Sequence, residues 1–317
     1  MVAMPVAHIS WALADNAQRP ACDAFFQDVF GAQTAFEMLI TPDTAHMGLD
    51  REESLMMVGD TMIIPIAPAG SGEDERSPLG NMLRRSAHAM RWVGVALKVA
   101  DLKAADERLR AAGFDLHYDR GMEEHYFIIA RHQALGMRLE ILAQDLPNDP
   151  RRDPNWRAIE ARDQHPLGIE GLQAIGLSAP SFEAAREVFA QRLGWPEMAA
   201  RSLPEVNAEC AAFFMGDTVL EAMVGPEDGS PVAVHARDIK GIYNLVFKVK
   251  DAGAAADYLR SKGLDLVGDV QGRFAIAPEQ AHGRLIWLTE ITPEGYPSVG
   301  SRMGELAPSL REASTAI

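Results

Sequence analysis

One short pattern recurs four times along the chain, and that recurrence limits the possible folds more than any other feature of the sequence. The four openings are VAHISWALAD from Val6, WVGVALKVADL from Trp92, LQAIGLSAPSF from Leu172 and IYNLVFKVKDA from Ile242. Each reads as a strand. Each is followed by an amphipathic helix that stops at Gly: ACDAFFQDVFG, KAADERLRAAG, EAAREVFAQRLG and GAAADYLRSKG. Further strand-like runs complete each unit. In MRLEILA, alternation puts Met137, Leu139 and Ile141 on one face and Arg138, Glu140 and Leu142 on the other. The unit is β-α-β-β-β, and four such units with segregated helices predict an α+β fold.

Two composition shifts divide the chain. Residues 144–168, rich in Pro, Asp and Arg without strand alternation, read as a linker. Residues 292–317 read as a polar, loosely held tail. This leaves a first half, residues 1–143, with modules at 6–68 and 91–143. The second half, residues 169–291, has modules at 170–226 and 240–291. The halves also match in detail. VGDTMIIPIAP from Val58 corresponds to MGDTVLEAMVGP from Met215, and each is followed by a charged turn and Ser-Pro.

Bulk properties narrow the function. A hydrophobic fraction of 47% fills a real core. A formal charge of −15 argues against nucleic acid or an anionic membrane surface as partner. No apolar run reaches the roughly 20 residues of a membrane span. The start, MVAMPVAHIS, lacks the basic-then-apolar order of a signal peptide, and two unpatterned cysteines suit a reducing cytoplasm. Phosphate-loop, dinucleotide-binding, nucleophile-elbow and H-E-x-x-H motifs are all missing, so nucleotide hydrolysis, hydride transfer and serine hydrolysis are not expected.

Paired β-α-β-β-β modules, the GDT strand with its following Ser-Pro and the ending AHGRLIWLTE resemble the vicinal oxygen chelate superfamily. That group includes glyoxalase I, methylmalonyl-CoA epimerase, extradiol dioxygenases and drug-resistance proteins, and each half here most resembles methylmalonyl-CoA epimerase. The resemblance implies four modules paired into two curved-sheet, glyoxalase-like domains. It also implies a divalent ion (Zn, Mn, Co, Ni or Fe) held by the first and last strand of each module. Carried over, those positions are His8, Ile64, Gly94 and Glu140 in the first half, and Ala174, Glu221, Asn244 and Trp287 in the second. The first half thus offers His8 and Glu140 as metal ligands, and the second reads as a degenerate copy. His117 and His125, on the expected second and third strands of the second module, and His88 before it, are candidates for a third ligand. His117, His125 and Tyr126 are the candidate proton-transfer residues.

A lone strand histidine is ordinarily a hydrogen-bonded structural residue, and a carboxylate in an apolar strand needs either a partner or a wet cavity. The resemblance implies an isomerase, epimerase or lyase that acts by proton transfer on a small oxygenated substrate with a divalent metal ion, the same cavity without a metal being a second reading. The alternatives are an extradiol-type dioxygenase or a metal-free protein that sequesters a ligand. Module one can pair with module two or with module four, and the chain can be a monomer or a homodimer.

Overall fold

The computed structural model describes residues 5–43, 51–68, 78–85, 90–119, 122–143, 149, 163–227 and 229–299. Each predicted unit forms. Module one is β1 (Val6–Ala12), α1 (Arg19–Phe30), β2 (Gln33–Met38), β3 (Arg51–Val58) and β4 (Thr61–Pro68). After α2 (Pro78–Arg85), module two is β5 (Arg91–Lys98), α3 (Leu102–Ala111), β6 (Leu116–His117), β7 (Tyr126–Ile129) and β8 (Arg138–Leu142). Module three is β9 (Ile169–Ser178), α4 (Phe182–Ala185, continued as a π-helix over Arg186–Arg192), β10 (Glu197–Leu203), β11 (Ala208–Phe214) and β12 (Val219–Val224). After α5 (Pro231–Asp238), module four is β13 (Gly241–Val249), α6 (Ala252–Ser261), β14 (Leu266–Gly268), β15 (Phe274–Ile276) and β16 (Ile286–Thr289). Among the described residues, no helix is long and apolar enough to cross a membrane.

Local chemistry sets the module helices. Asp101, Ser181 and Asp251 cap three of them by accepting from the backbone N–H three residues on. The four glycines at their ends, Gly31, Gly113, Gly194 and Gly263, all have φ between +64° and +82°. A left-handed residue ends a helix at little cost only without a Cβ, which is why the pattern closes on Gly each time.

The open question of module pairing is answered by β1. It runs antiparallel to β5, and β9 runs antiparallel to β13. The two eight-stranded sheets are ordered β2-β3-β4-β1-β5-β8-β7-β6 and β10-β11-β12-β9-β13-β16-β15-β14. Modules one and two make one sheet, modules three and four the other. One face of each sheet is covered by its module helices. These two covered faces share a single hydrophobic core that includes Ile9, Trp11, Phe26, Leu139, Ile175, Phe189, Phe247 and Leu259. Helices meet across the halves: Arg192 donates to the Ala112 and Gly113 carbonyls and lies over Phe114, and the Tyr258 hydroxyl donates to the Asp28 carbonyl. The guanidinium of Arg284, fully buried, stacks 4.1 Å from the Phe26 ring centroid and 5.6 Å from that of Trp11. A buried cation is tolerated there because ring faces and the Ala281 carbonyl replace water.

The repeated GDT turns also join the halves. Asp60 Oδ1 accepts from the Leu172 N–H at 3.1 Å, and Asp217 Oδ1 accepts from the Val6 N–H at 3.1 Å. Each half's turn holds the first strand of the other. Burial, with the Asp60 charge adding to it and the Val6 N–H opposing, pushes Asp217 up to about 6. A folded-state pKa above the unfolded value of about 3.9 means this group's contribution is complete below that value and is lost as pH rises through about 6. Asp217→Asn keeps the acceptor and removes the charge. Its unfolding free energy should therefore match wild type near pH 4 and exceed it by about 3 kcal/mol at pH 8. An equal difference at both pH values would refute the linkage.

Two boundary segments are packed where the described residues reach them. The end of the linker is packed: Leu167 is fully buried, and His165 stands edge-on to Tyr258 with ring centroids 5.2 Å apart. The start of the tail is anchored by Tyr296, which is buried in the second half. Most of the linker and residues 300–317 lie outside the described residues.

Candidate functional site

The face of each sheet turned away from its module helices carries the positions of interest, with α2 packed on part of it in the first half and α5 in the second, and the strand register is the same in all four modules. The residue two places after each first-strand position pairs with the last-strand position: Ser10 with Ile64, Ala96 with Glu140, Gly176 with Glu221 and Val246 with Trp287. The four positions of each half therefore occupy equivalent places around its open face.

In the first half, His8 pairs with Ala96, which pairs with Glu140. This brings His8 Nε2 to 3.8 Å from Glu140 Oε1. The side chains keep 9% and 23% of their surfaces exposed, so the imidazole is nearly enclosed while the carboxylate still reaches solvent. Apolar neighbours on this face include Ala7, Ala96 and Leu142, with Met62 and Ile64 further along. Burial raises the Glu140 pKa. The charges of Arg138 and Arg51 oppose that rise, and Asp119 adds to it. Arg138 Nη2 is 3.6 Å from Glu140 Oε2. Strand alternation had placed Arg138 on the Glu140 face, but neither arginine was expected in the site.

The other expected residues separate. His117 continues the same row, through Ile128 to Glu140, but it is exposed and two strands from the carboxylate. Neighbouring strands are about 4.8 Å apart, so it stands roughly 10 Å away across the sheet. His125 is not on the third strand. It sits exposed in the turn before β7, its N–H donating to the Met122 carbonyl at 2.9 Å. Tyr126 is the member of that pair on the Glu140 face: it pairs with Leu142 and packs against Ala7, Ala96 and Leu142. Its hydroxyl donates to Asp119 Oδ2, and burial followed by that contact raises its pKa. His88 lies outside the described residues.

The second half has the same face, filled. Trp287 and Tyr296 pack with Leu203, Val206, Val232 and Val246 into a closed apolar cluster. Glu221 has no exposed surface. Arg273 grips it with both terminal nitrogens, at 2.8 and 2.6 Å, and the Tyr296 hydroxyl donates to it at 2.9 Å. Burial alone would raise the Glu221 pKa. Arg273, with Arg201 and Tyr296, brings it below the usual carboxylate range. This carboxylate is consumed by a buried ion pair.

The donor set can be tested against a metal. His8 and Glu140 would be the protein ligands. Ile64 and Gly94 carry no donor, and among the described residues no three His, Cys, Asp or Glu side chains group together. A catalytic ion ordinarily takes three protein ligands, so this set does not fit one.

The structure is similar to that of a mutant of 4-hydroxymandelate synthase from Streptomyces coelicolor. The match has 16% identity over 97% of this chain and 98% of that one, with a TM-score of 0.63. Methylmalonyl-CoA epimerase from Mycobacterium tuberculosis matches over 45% of this chain and 88% of its own, at 24% identity and a TM-score of 0.35. No protein-family model matches the sequence, and no curated protein does.

Proposed function

Because the chain has the vicinal oxygen chelate fold, built as two glyoxalase-like domains, we propose that its first half is the active site of an enzyme acting on a small oxygenated molecule by proton transfer. The observation that carries this reading is the His8–Glu140 pair, 3.8 Å apart on the open face, with a carboxylate whose pKa is raised by burial. A desolvated carboxylate that still reaches solvent is a stronger base than a free one. Its substrate is a carbon acid, a compound with a C–H next to a carbonyl or thioester. Glu140 takes that proton, and the electron pair moves onto the carbonyl oxygen. The His8 imidazole and the Arg138 guanidinium stand beside the carboxylate where that negative charge develops. Returning the proton to the opposite face gives epimerisation, and to the neighbouring atom isomerisation. Loss of a leaving group instead gives a lyase step.

The first half carries the chemistry because the second has lost the means. Ala174 and Trp287 stand where His8 and Glu140 do, and Glu221 is neutralised by Arg273. Hydrogen–deuterium exchange tests the reading without knowledge of the product. A panel of 2-hydroxy ketones, 2-methyl thioesters and β-keto acids is incubated in D2O with protein and followed by proton NMR. At least one member should lose its acidic C–H signal at a rate proportional to protein, and chelators should leave that rate unchanged. Binding without exchange across the panel would instead assign a sequestering role.

A further inference from the structure

A second hollow, of about 1030 Å³, lies between the halves and takes no part in the His8–Glu140 site. Its walls are α2, the start of β5, the turn after β7 and the C-terminal end of α5. Arg85, Arg91, Arg131, Arg237 and Lys240 line it, with Asp238 as the carboxylate among its lining residues. Arg237 already holds Asp238, at 2.7 and 3.0 Å. Among the described residues, no carboxylate pairs with Arg85, Arg91, Arg131 or Lys240. A concentration of positive charge in a chain of formal charge −15 is a local reversal that solubility does not require.

Part of this charge has a structural use. Arg91 Nη2 donates to the Lys240 carbonyl at 2.8 Å and to that of Ile239, closing the C-terminal end of α5. Arg131 Nε donates to the Gly136 carbonyl at 2.7 Å. Capping does not account for Arg85 or Lys240, nor for the rest of the Arg91 fork. Arg91 is 6% exposed, and its Nε has no hydrogen-bond partner among the described residues. Burial and then the nearby Arg131 charge lower its pKa to about 10, and burial lowers that of Arg131. Enclosed cations that repel one another are costly without an anion to offset them.

We propose that this cleft binds a small molecule through a phosphate group, as a phosphate ester or a diphosphate. The cationic side chains come from both halves and from several elements. They suit a tetrahedral group that accepts hydrogen bonds on several sides better than a planar carboxylate. The volume is that of a small-molecule site, and Met82, Leu135 and Pro180 offer apolar wall for an organic body. The assignment is independent of the proton-transfer reading.

Titration calorimetry with inorganic pyrophosphate at low ionic strength tests it. Wild type should bind, and more weakly as salt is added. Arg85→Gln and Lys240→Gly should each weaken binding about tenfold, and Arg85→Gln/Arg131→Gln should abolish it. Lys240 already has φ +66°, so glycine there introduces no strain. Glu140→Gln should bind pyrophosphate as wild type does. No heat with pyrophosphate, equal affinity in Arg85→Gln and Lys240→Gly, or tighter binding of citrate than of pyrophosphate would each overturn the proposal.

Discussion

Glu140→Gln should lower turnover by about 10²–10⁴-fold, the usual contribution of a positioned general base. The substitution keeps the shape and the hydrogen-bonding oxygen and removes only the ability to accept a proton. Because Glu140 lies beside His8 and Arg138 on a strand whose opposite face is buried core, the fold should not change. The loss should fall on kcat, with KM little altered. The wild-type rate should rise with pH through an apparent pKa above the ordinary carboxylate range, because burial raises that of Glu140. This limb should be gone from the residual activity of Glu140→Gln. A variant that retains wild-type exchange rates, or the same acidic limb, would remove Glu140 from the chemistry.

The second large effect concerns stability. Arg273→Met should destabilise the protein by about 3–5 kcal/mol, because it removes the two-pronged partner of a buried carboxylate and leaves it only the Tyr296 hydroxyl and Arg201, 3.5 Å away. With total stabilities of roughly 5–15 kcal/mol, that is enough to put the second half near unfolding. The partner substitution should reverse it. Glu221→Met with Arg273→Met replaces a desolvated ion pair by hydrocarbon of similar size and should return stability to within about 1–2 kcal/mol of wild type. Part of that deficit is the Tyr296 hydroxyl, which loses its acceptor, and Tyr296→Phe added to the pair should recover that part; the rest falls on Arg201 and Glu205, each of which loses an ion-pair partner 3.5 Å away. Urea unfolding of the single, double and triple variants measures all three steps. If Arg273→Met alone were neutral, the ion pair would not be what holds this face together. The first-half site should be unaffected in any variant that folds.

The comparison of His8–Glu140 with Glu221 shows what a sequence can carry. Modules, helices and their glycine stops were legible because alternation, capping residues and left-handed turns are local properties. Pairing of module one with module two was not, since the edges of all four modules present similar strands and only tertiary packing selects between them. Glu140 and Glu221 look alike in sequence, each a carboxylate flanked by apolar strand residues. What separates them is a partner 52 residues away: Arg273 beside Glu221, and an imidazole beside Glu140. No local pattern encodes that. His125 was misplaced for a different reason, because MEEHYF shows no sign of where its turn ends and β7 begins. The tail was read by composition, which hides Tyr296, a single large side chain that finds the second half's open face. Arg284 was missed because a buried cation held by aromatic rings has no signature except the rings, and those lie in the other half of the chain.

The exchange of Asp60 and Asp217 between the halves has a further meaning. Two identical subunits related by a dyad would make this same contact twice, each turn gripping the other's leading strand. The present molecule has the geometry of such a homodimer written into one polypeptide. Identical subunits must do everything in duplicate, so a tryptophan that plugs one pocket would plug both. Fusion lifts that restriction: one copy could be turned into a solid buttress of aromatic and ion-paired side chains while its twin kept an imidazole and a carboxylate open to water.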